Sequence, residues 1–261
     1  MKRGHPLNFL RKTDTLLWIF TAATAVLIIF LLLHEVPERQ YVLLSFDVEP
    51  VDGEQSVMDM LDIVYRTNVS ATFFVTGEYA EEHPEIVKLM TGREIACHGQ
   101  THKAFTKMTK DEKKAEIIRC RDTIENITGK KVMGFRAPYN RIDRETLEIL
   151  EDERFMYDAS YIKGWGFLFP RLRGHKIGEI PVSSTFGIPL EDVVWVHYLK
   201  MPGAFFYILK HKETPVESYL FHPHHAAAHK QEIEEFINYL KRRNVIFISH
   251  AQLIETQDEG V

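Results

Sequence analysis

From residue 41 onward, short unbroken apolar runs alternate with longer segments whose apolar residues return every three or four positions. Residues 41–46, 71–75, 94–97 and 132–135 are runs of the first kind, and residues 179–182, 219–221 and 245–248 continue the series. Such runs predict strands buried on both faces. Residues 55–65, a segment opened by Thr109, another opened by Asp143, and residues 229–241 carry the helical period. In the Thr109 segment Ile117, Cys120, Ile124 and Ile127 share one face. Thr109 and Glu112 form a capping-box pattern at its start, and Gly129 ends it. In the segment 229–241, Ile233, Phe236, Ile237 and Leu240 share a face. Buried strands alternating with amphipathic helices predict an α/β fold with a parallel sheet covered by helices. Residues 162–213, rich in aromatics and glycine, follow neither period. No internal repeat or low-complexity tract interrupts the chain.

The N-terminus has a different pattern. Residues 16–33 contain no charge and are long enough as a helix to cross a bilayer. Lys2, Arg3, Arg11 and Lys12 precede the run, whereas Glu35 and Glu38 follow it with Arg39 alone. That asymmetry leaves residues 1–15 in the cytoplasm and everything after residue 34 outside. A cleaved leader needs small residues just beyond the apolar run. Here they lie in its middle, at residues 21–25, so the run reads as a retained signal anchor. Residues 34–40, around Pro37, form a linker, residues 41–254 the external domain, and residues 255–261 a tail.

Composition adds limits. The 261 residues carry a formal net charge of -5 and no basic face or arm beyond the first residues, which argues against a nucleic-acid partner. Cys97 and Cys120 could bridge, but two cysteines make neither a disulfide framework nor a thiolate zinc site. Asn68 and Asn126 begin sequons, which suit an external domain.

Candidate chemistry gathers where strands run out. Asp47, His98, Arg136 and His222 each end an apolar run, and in parallel barrels that edge carries the active site. In His98-Gly-Gln-Thr-His102 two imidazoles four apart would point the same way on a helical turn, which suits one metal ion. A pair of surface histidines is the plainer reading. Asp47 and Glu49, two apart in an extended chain, share a face. One could ligate a metal while the other takes a proton from a bound water, or both could simply cap the next segment. Arg136, in Gly-Phe-Arg-Ala-Pro-Tyr139, could hold a carboxylate through a bidentate pair. His222, directly behind an apolar run, could act as an acid. His224, His225 and His229 read as a solvated loop.

The order of an acidic strand end, HxxxH, RxPY and a late strand-end histidine resembles the polysaccharide deacetylases of the NodB-homology type, carbohydrate esterase family 4. The resemblance spans roughly residues 41–253. It implies an irregular (β/α) barrel of about seven strands and a divalent metal ion, usually zinc. It implies His98 and His102 as metal ligands, Asp47 as general base, Arg136 as its orienting partner and His222 as general acid. The backbone N–H of Tyr139 would belong to an oxyanion hole. Two departures stand out. The family's first motif commonly reads TFDDG, with the second Asp on the metal; Val48 stands there, so the ligand role passes to Glu49, with Asp47 as the alternative ligand. The family's Asp-Trp motif between Arg136 and His222 has no clear match, and residues 158–160 or 179–183 are its candidate equivalents. The implied reaction is hydrolysis of N-acyl groups, foremost N-acetyl, on amino sugars of a cell-surface glycan. A lipid-linked sugar, deacylated or deformylated, is the alternative substrate. A non-catalytic glycan-binding protein on the same fold is the alternative of another class.

Overall fold

The computed structural model describes Thr24, residues 39–164 and residues 176–258. The expected membrane span, residues 16–33, lies outside the described residues apart from Thr24, which is helical and exposed. No helix among the described residues is long and apolar enough to cross a membrane.

The central strand is β1 (Tyr41–Val48). Its period of two sorts its side chains between two cores. Val42, Leu44, Phe46 and Val48 join the larger cluster with residues of the covering helices, such as Val57, Ile117 and Phe236. Leu43 joins a smaller cluster with Phe74, Ala96, Tyr157 and Leu253. Ser45, Asp47 and Glu49 continue Leu43's face. This explains Val48: a carboxylate there would enter the apolar layer under the helices, and the next position on the polar face is Glu49.

Around β1 the sheet is parallel throughout. β2 (Thr72–Val75), β3 (Glu94–Cys97), β4 (Gly134–Phe135), β5 (Tyr157–Asp158) and β6 (Gly178–Glu179) follow in sequence on one side of it. The hairpin β7 (Ser184–Thr185) and β8 (Ile188–Pro189) comes next. β9 (Val216–Phe221) pairs with β1 along the other side, and β10 (Ile246–Phe247) pairs with the start of β1. The eight strands of this sheet agree with the parallel α/β class and with the expected count of about seven.

The sheet curves toward closure through the segment that followed neither period. Ser183 N donates to Ser218 O at 2.8 Å, and Leu220 N donates to Leu190 O at 3.2 Å. The chain after β6 is thus laid along β9, which sets Glu191 and Asp192 beside the end of that strand.

Among the described residues the α-helices are Glu54–Arg66, Gly77–Glu82, Pro84–Leu89, Lys110–Thr128, Arg144–Asp152, Pro202–His211, Pro223–Ala228, Lys230–Arg242 and His250–Asp258. Lys110–Thr128 has the expected capping box at Thr109 and Glu112 and ends at Gly129, whose φ of 67° is left-handed. His250–Asp258 runs across residue 255, where the tail was expected to begin. β4 is shorter than the apolar run 132–135 because Val132 N donates to Glu125 Oε1 at 3.0 Å instead of joining the ladder.

Cys97, the last residue of β3, is disulfide-bonded to Cys120 on the Lys110–Thr128 helix, 23 residues later. Closing a loop of that length stabilises a fold by about 3 kcal/mol, mainly by restricting the unfolded chain. Replacing both cysteines by alanine should lower the unfolding free energy by roughly that amount in urea titration, with the far-ultraviolet spectrum retained. An unchanged midpoint would show that the cross-link contributes nothing.

Candidate active site

The expected site residues meet at the C-terminal edge of the sheet. Glu49 Oε1 lies 2.9 Å from His102 Nε2 and 3.6 Å from His222 Nε2. His98 Nε2 lies 3.6 Å from Asp47 Oδ2. Glu49, His98 and His102 each place one ligand atom within 4.8 Å of the other two, which is the separation a single metal ion would bridge. The buried Nε2 of His98 makes no hydrogen bond, and that of His102 has only the Glu49 carboxylate beside it. A buried polar atom without a partner costs about 1–3 kcal/mol, so two imidazole nitrogens facing one carboxylate fit a cation well.

His98 is oriented by its own backbone neighbourhood. Its Nδ1 lies 2.8 Å from Arg136 O. A carbonyl can only accept, so Nδ1 carries the proton and the lone pair of Nε2 faces Glu49. Complete burial holds the His98 pKa below the usual imidazole value, against the pull of Asp47, so the ring is neutral as a ligand must be.

The two histidines do not share a helical turn. Residues 98–102 form a loop in which Gly99 has φ 76° and His102 has φ 53°. A left-handed conformation at a residue with a Cβ costs about 1–2 kcal/mol, which the loop's hydrogen bonds offset. Convergence of the imidazoles therefore comes from the loop's shape, not from helical spacing.

Arg136 is fully buried and directly follows β4. Its Nη1 donates to Asp47 Oδ1 at 2.7 Å and to Ser45 Oγ at 3.0 Å. Its Nε donates to Ala159 O at 3.0 Å, and its guanidinium carbon lies 3.9 Å from the centre of the Phe74 ring. Asp47 is thereby held by one oxygen, leaving Oδ2 toward His98. The contact is single rather than the bidentate pair expected. Tyr139 follows in a left-handed conformation at φ 61°, with its ring 4.8 Å from that of His102 and 60% exposed.

His222 is buried at the end of β9. Asp192 Oδ1 lies 2.7 Å from its Nδ1, and Asp192 Oδ2 accepts its backbone N–H at 2.6 Å. Burial alone would lower the His222 pKa, but the charge and hydrogen bond of Asp192, with help from Glu49 and Asp47, raise it well above the usual value. For Glu49, burial opposes ionisation, yet contacts with His102 and His222 hold its pKa below the usual carboxylate range. The site thus pairs a proton-holding imidazole with an ionised Glu49.

Asp192 was missed in the sequence, and the expected equivalents of the Asp-Trp motif lie elsewhere. Asp158 Oδ1 accepts from Ser160 Oγ at 2.5 Å, and Ser160 Oγ in turn accepts from Ala137 N at 2.8 Å. That pair supports the turn after Arg136. Burial pushes the Asp158 pKa up to about 7. Glu179 lies on β6. The signal that could have found Asp192 is an acidic pair, Glu191-Asp192, set in an apolar stretch that ends in the buried Trp195. Asp52 also belongs to the rim: its carboxylate accepts from Glu49 N at 2.8 Å and meets His224 Nδ1 at 3.0 Å. A separate hollow lined by Arg93, Glu94, Lys131 and Gln252 contains none of the expected site residues.

The family model described as polysaccharide deacetylase matches residues 34–157, which include every site residue named above up to Tyr139 but neither Asp192 nor His222. A peptidoglycan deacetylase-like protein of Gibberella zeae is 35% identical over 54% of this chain and 39% of its own length. A peptidoglycan-N-acetylglucosamine deacetylase of Bacillus cereus is 32% identical over 44% of this chain and 42% of its own. The matches thus span about two fifths of these relatives. Among solved structures, a putative polysaccharide deacetylase from Mycobacterium smegmatis aligns with a TM-score of 0.67 at 19% identity, over 84% of this chain and 91% of its own. A CE4 family pseudoenzyme from Bacillus anthracis aligns with a TM-score of 0.64 at 20% identity, over 84% of this chain and 66% of its own. These two likenesses concern the fold.

Asp192 makes a prediction of its own. Asp192→Asn removes the charge that favours protonated His222, so the His222 imidazole should lose its proton at a lower pH than in the wild type. Titration of the His222 ring by NMR checks this; a midpoint that stays in place or rises would show that Asp192 does not set the protonation of His222.

Proposed function

We propose that this chain, a member of the polysaccharide deacetylase family of the NodB-homology type, hydrolyses N-acyl groups, foremost N-acetyl, on amino sugars of a cell-surface glycan. The observation that carries the reading is the meeting of Glu49, His98 and His102 around one point, with Asp47 and His222 on either side of it.

A divalent ion held by Glu49, His98 and His102, zinc in the first instance, would polarise the amide carbonyl and lower the pKa of an attacking water. Asp47 takes the proton from that water at Oδ2, while Arg136 keeps Oδ1 occupied and the carboxylate in place. His222, kept protonated by Asp192, gives its proton from Nε2 to the departing amine. The Tyr139 N–H supports the developing oxyanion. The non-catalytic alternative is disfavoured because Asp47, His98, His102, Arg136 and His222 are all present and mutually in reach.

The catalytic domain stands outside the membrane, held by the apolar run of residues 16–33. The Cys97–Cys120 bond favours this placement, since disulfides persist in oxidising compartments. Protease added to intact cells should remove the domain beyond residue 38; complete protection in cells whose outer layers admit the protease would reverse the topology.

Metal and base can be told apart by substitution. Chelation should abolish release of acetate from N-acetylated oligosaccharides, and zinc should restore it. Asp47→Asn should keep the metal but lose about 10²–10⁴ in kcat, the range of general base catalysis. Glu49→Gln should bind metal more weakly and regain part of its activity in excess zinc. If Asp47→Asn loses the metal and Glu49→Gln keeps it, the two roles are exchanged. A wild-type protein that releases no acyl group from glycan or lipid-linked sugar, with metal bound, would leave the glycan-binding reading.

A further inference from the structure

The imidazole loop is held from two sides. On one side its carbonyls accept from the first two residues of the Gly77–Glu82 helix: Gly77 N donates to Gly99 O at 3.0 Å, and Glu78 N donates to Gln100 O at 2.8 Å. On the other side its donors converge on one carboxylate. Gln100 N and Thr101 N both donate to Glu116 Oε2, at 2.9 and 2.8 Å, and Thr101 Oγ donates to Glu116 Oε1 at 2.8 Å. Glu116 touches neither imidazole through a hydrogen bond. It grips the two residues directly before His102, whose backbone is left-handed.

Glu116 lies on the Lys110–Thr128 helix one turn before Cys120, so the two occupy one face. Cys120 is bonded to Cys97, the residue directly before His98. A single helix face therefore holds the chain at the entry to His98 and again at the approach to His102.

We propose that Glu116 is a positioning residue for the metal centre: by fixing the loop between His98 and His102 it sets the distance between their Nε2 atoms and hence the affinity for the ion. The inference rests on the metal reading of the site given above. Partners of this kind, which touch the ligands' supports and not the ion, are worth about 10–100-fold in metal affinity.

Hydrogen bonding and charge are separable here. Both backbone amides use the same oxygen, Oε2. In Glu116→Gln the amide oxygen can still accept both, and the new NH2 can donate to the Thr101 hydroxyl. Glu116→Ala removes all three bonds, yet the loop carbonyls stay tied to Gly77 and Glu78.

The test is a zinc titration of the full-length protein against a chromophoric chelator, with circular dichroism to check folding and activity measured at saturating zinc. Wild type should bind one ion. Glu116→Ala should bind about 10–100-fold more weakly and regain most of its activity once saturated. Glu116→Gln should stay within about threefold of wild type, inside the lower bound of that range. Wild-type affinity in Glu116→Ala, or a saturated variant that remains inactive, would overturn the proposal. So would a Glu116→Gln as weak as Glu116→Ala, since charge and not placement would then be the cause. Failure of the wild type to bind zinc would overturn the metal reading itself, and this inference with it. Should Glu116→Ala not fold, Glu116→Asp, one methylene too short to reach all three donors, is judged by the same criterion.

Discussion

The ion pair between Arg136 and Asp47 is the constraint on which the site depends. Both groups are buried, Arg136 completely. Taking two charges out of water is costly, and the pair is tolerable only because each charge meets the other and further polar atoms. Arg136 makes most of those contacts, its Nη2 alone being without a hydrogen-bond partner. Its guanidinium binds β1 through Ser45 and Asp47 and the chain just beyond β5 through Ala159 O. Its backbone N–H donates to Cys97 O of β3, and its carbonyl accepts from His98 Nδ1–H. One residue therefore fixes the carboxylate, the tautomer of a ligand imidazole and the spacing of the strands that carry them. Removing either partner would leave a buried charge unpaired, at about 3–5 kcal/mol.

The same hollow pushes two imidazoles in opposite directions. His98 and His222 are both buried and both stand at strand ends. His98 sets Nδ1 against a neutral carbonyl, so burial prevails and the ring stays neutral. His222 sets Nδ1 against the Asp192 carboxylate, so the proton is retained. The partner of the far ring nitrogen, not the residue type, decides whether a histidine serves as a metal ligand or as an acid.

What could be read in the sequence follows from this. The strand faces, the capping box of the Lys110–Thr128 helix and the strand-end positions of Asp47, His98, Arg136 and His222 are local properties, visible as periodicity and as polar residues at the ends of apolar runs. The choice of Glu49 over position 48 also follows from alternation along β1, once Val48 is seen to belong to the helix-facing core. The rest depends on distant segments. Asp192 reaches His222 from 30 residues away, across an irregular stretch whose path is set by the backbone bonds of Ser183 and Leu190 to β9. Glu116 looks in sequence like any exposed charge on an amphipathic helix; only the loop packed against it gives the carboxylate its three donors. The HxxxH spacing was legible as a pair but suggested a helix, because positive φ at a histidine leaves no mark in composition.

Shape alone does not decide whether such a barrel is an enzyme, since a fold of nearly the same likeness belongs to a pseudoenzyme. What favours catalysis is a set of groups whose arrangement has a cost that glycan binding would not require. The Nε2 atoms of His98 and His102 are two such groups. Both are buried, His98 Nε2 has no hydrogen-bond partner, His102 Nε2 faces only the Glu49 carboxylate, and His102 is held in a strained backbone conformation as well. A surface that only stacked against sugars would gain nothing from these penalties, and substitution by ordinary loop residues would relieve them. The arrangement is stable in function only if something positively charged repays it. The protonated His222 cannot, because its Nε2 stands 3.6 Å from Glu49 and its other nitrogen is engaged by Asp192. A divalent ion held by Glu49, His98 and His102 would satisfy both nitrogens at once, and on the proposed reading it would supply the activated water for which Asp47 is the base.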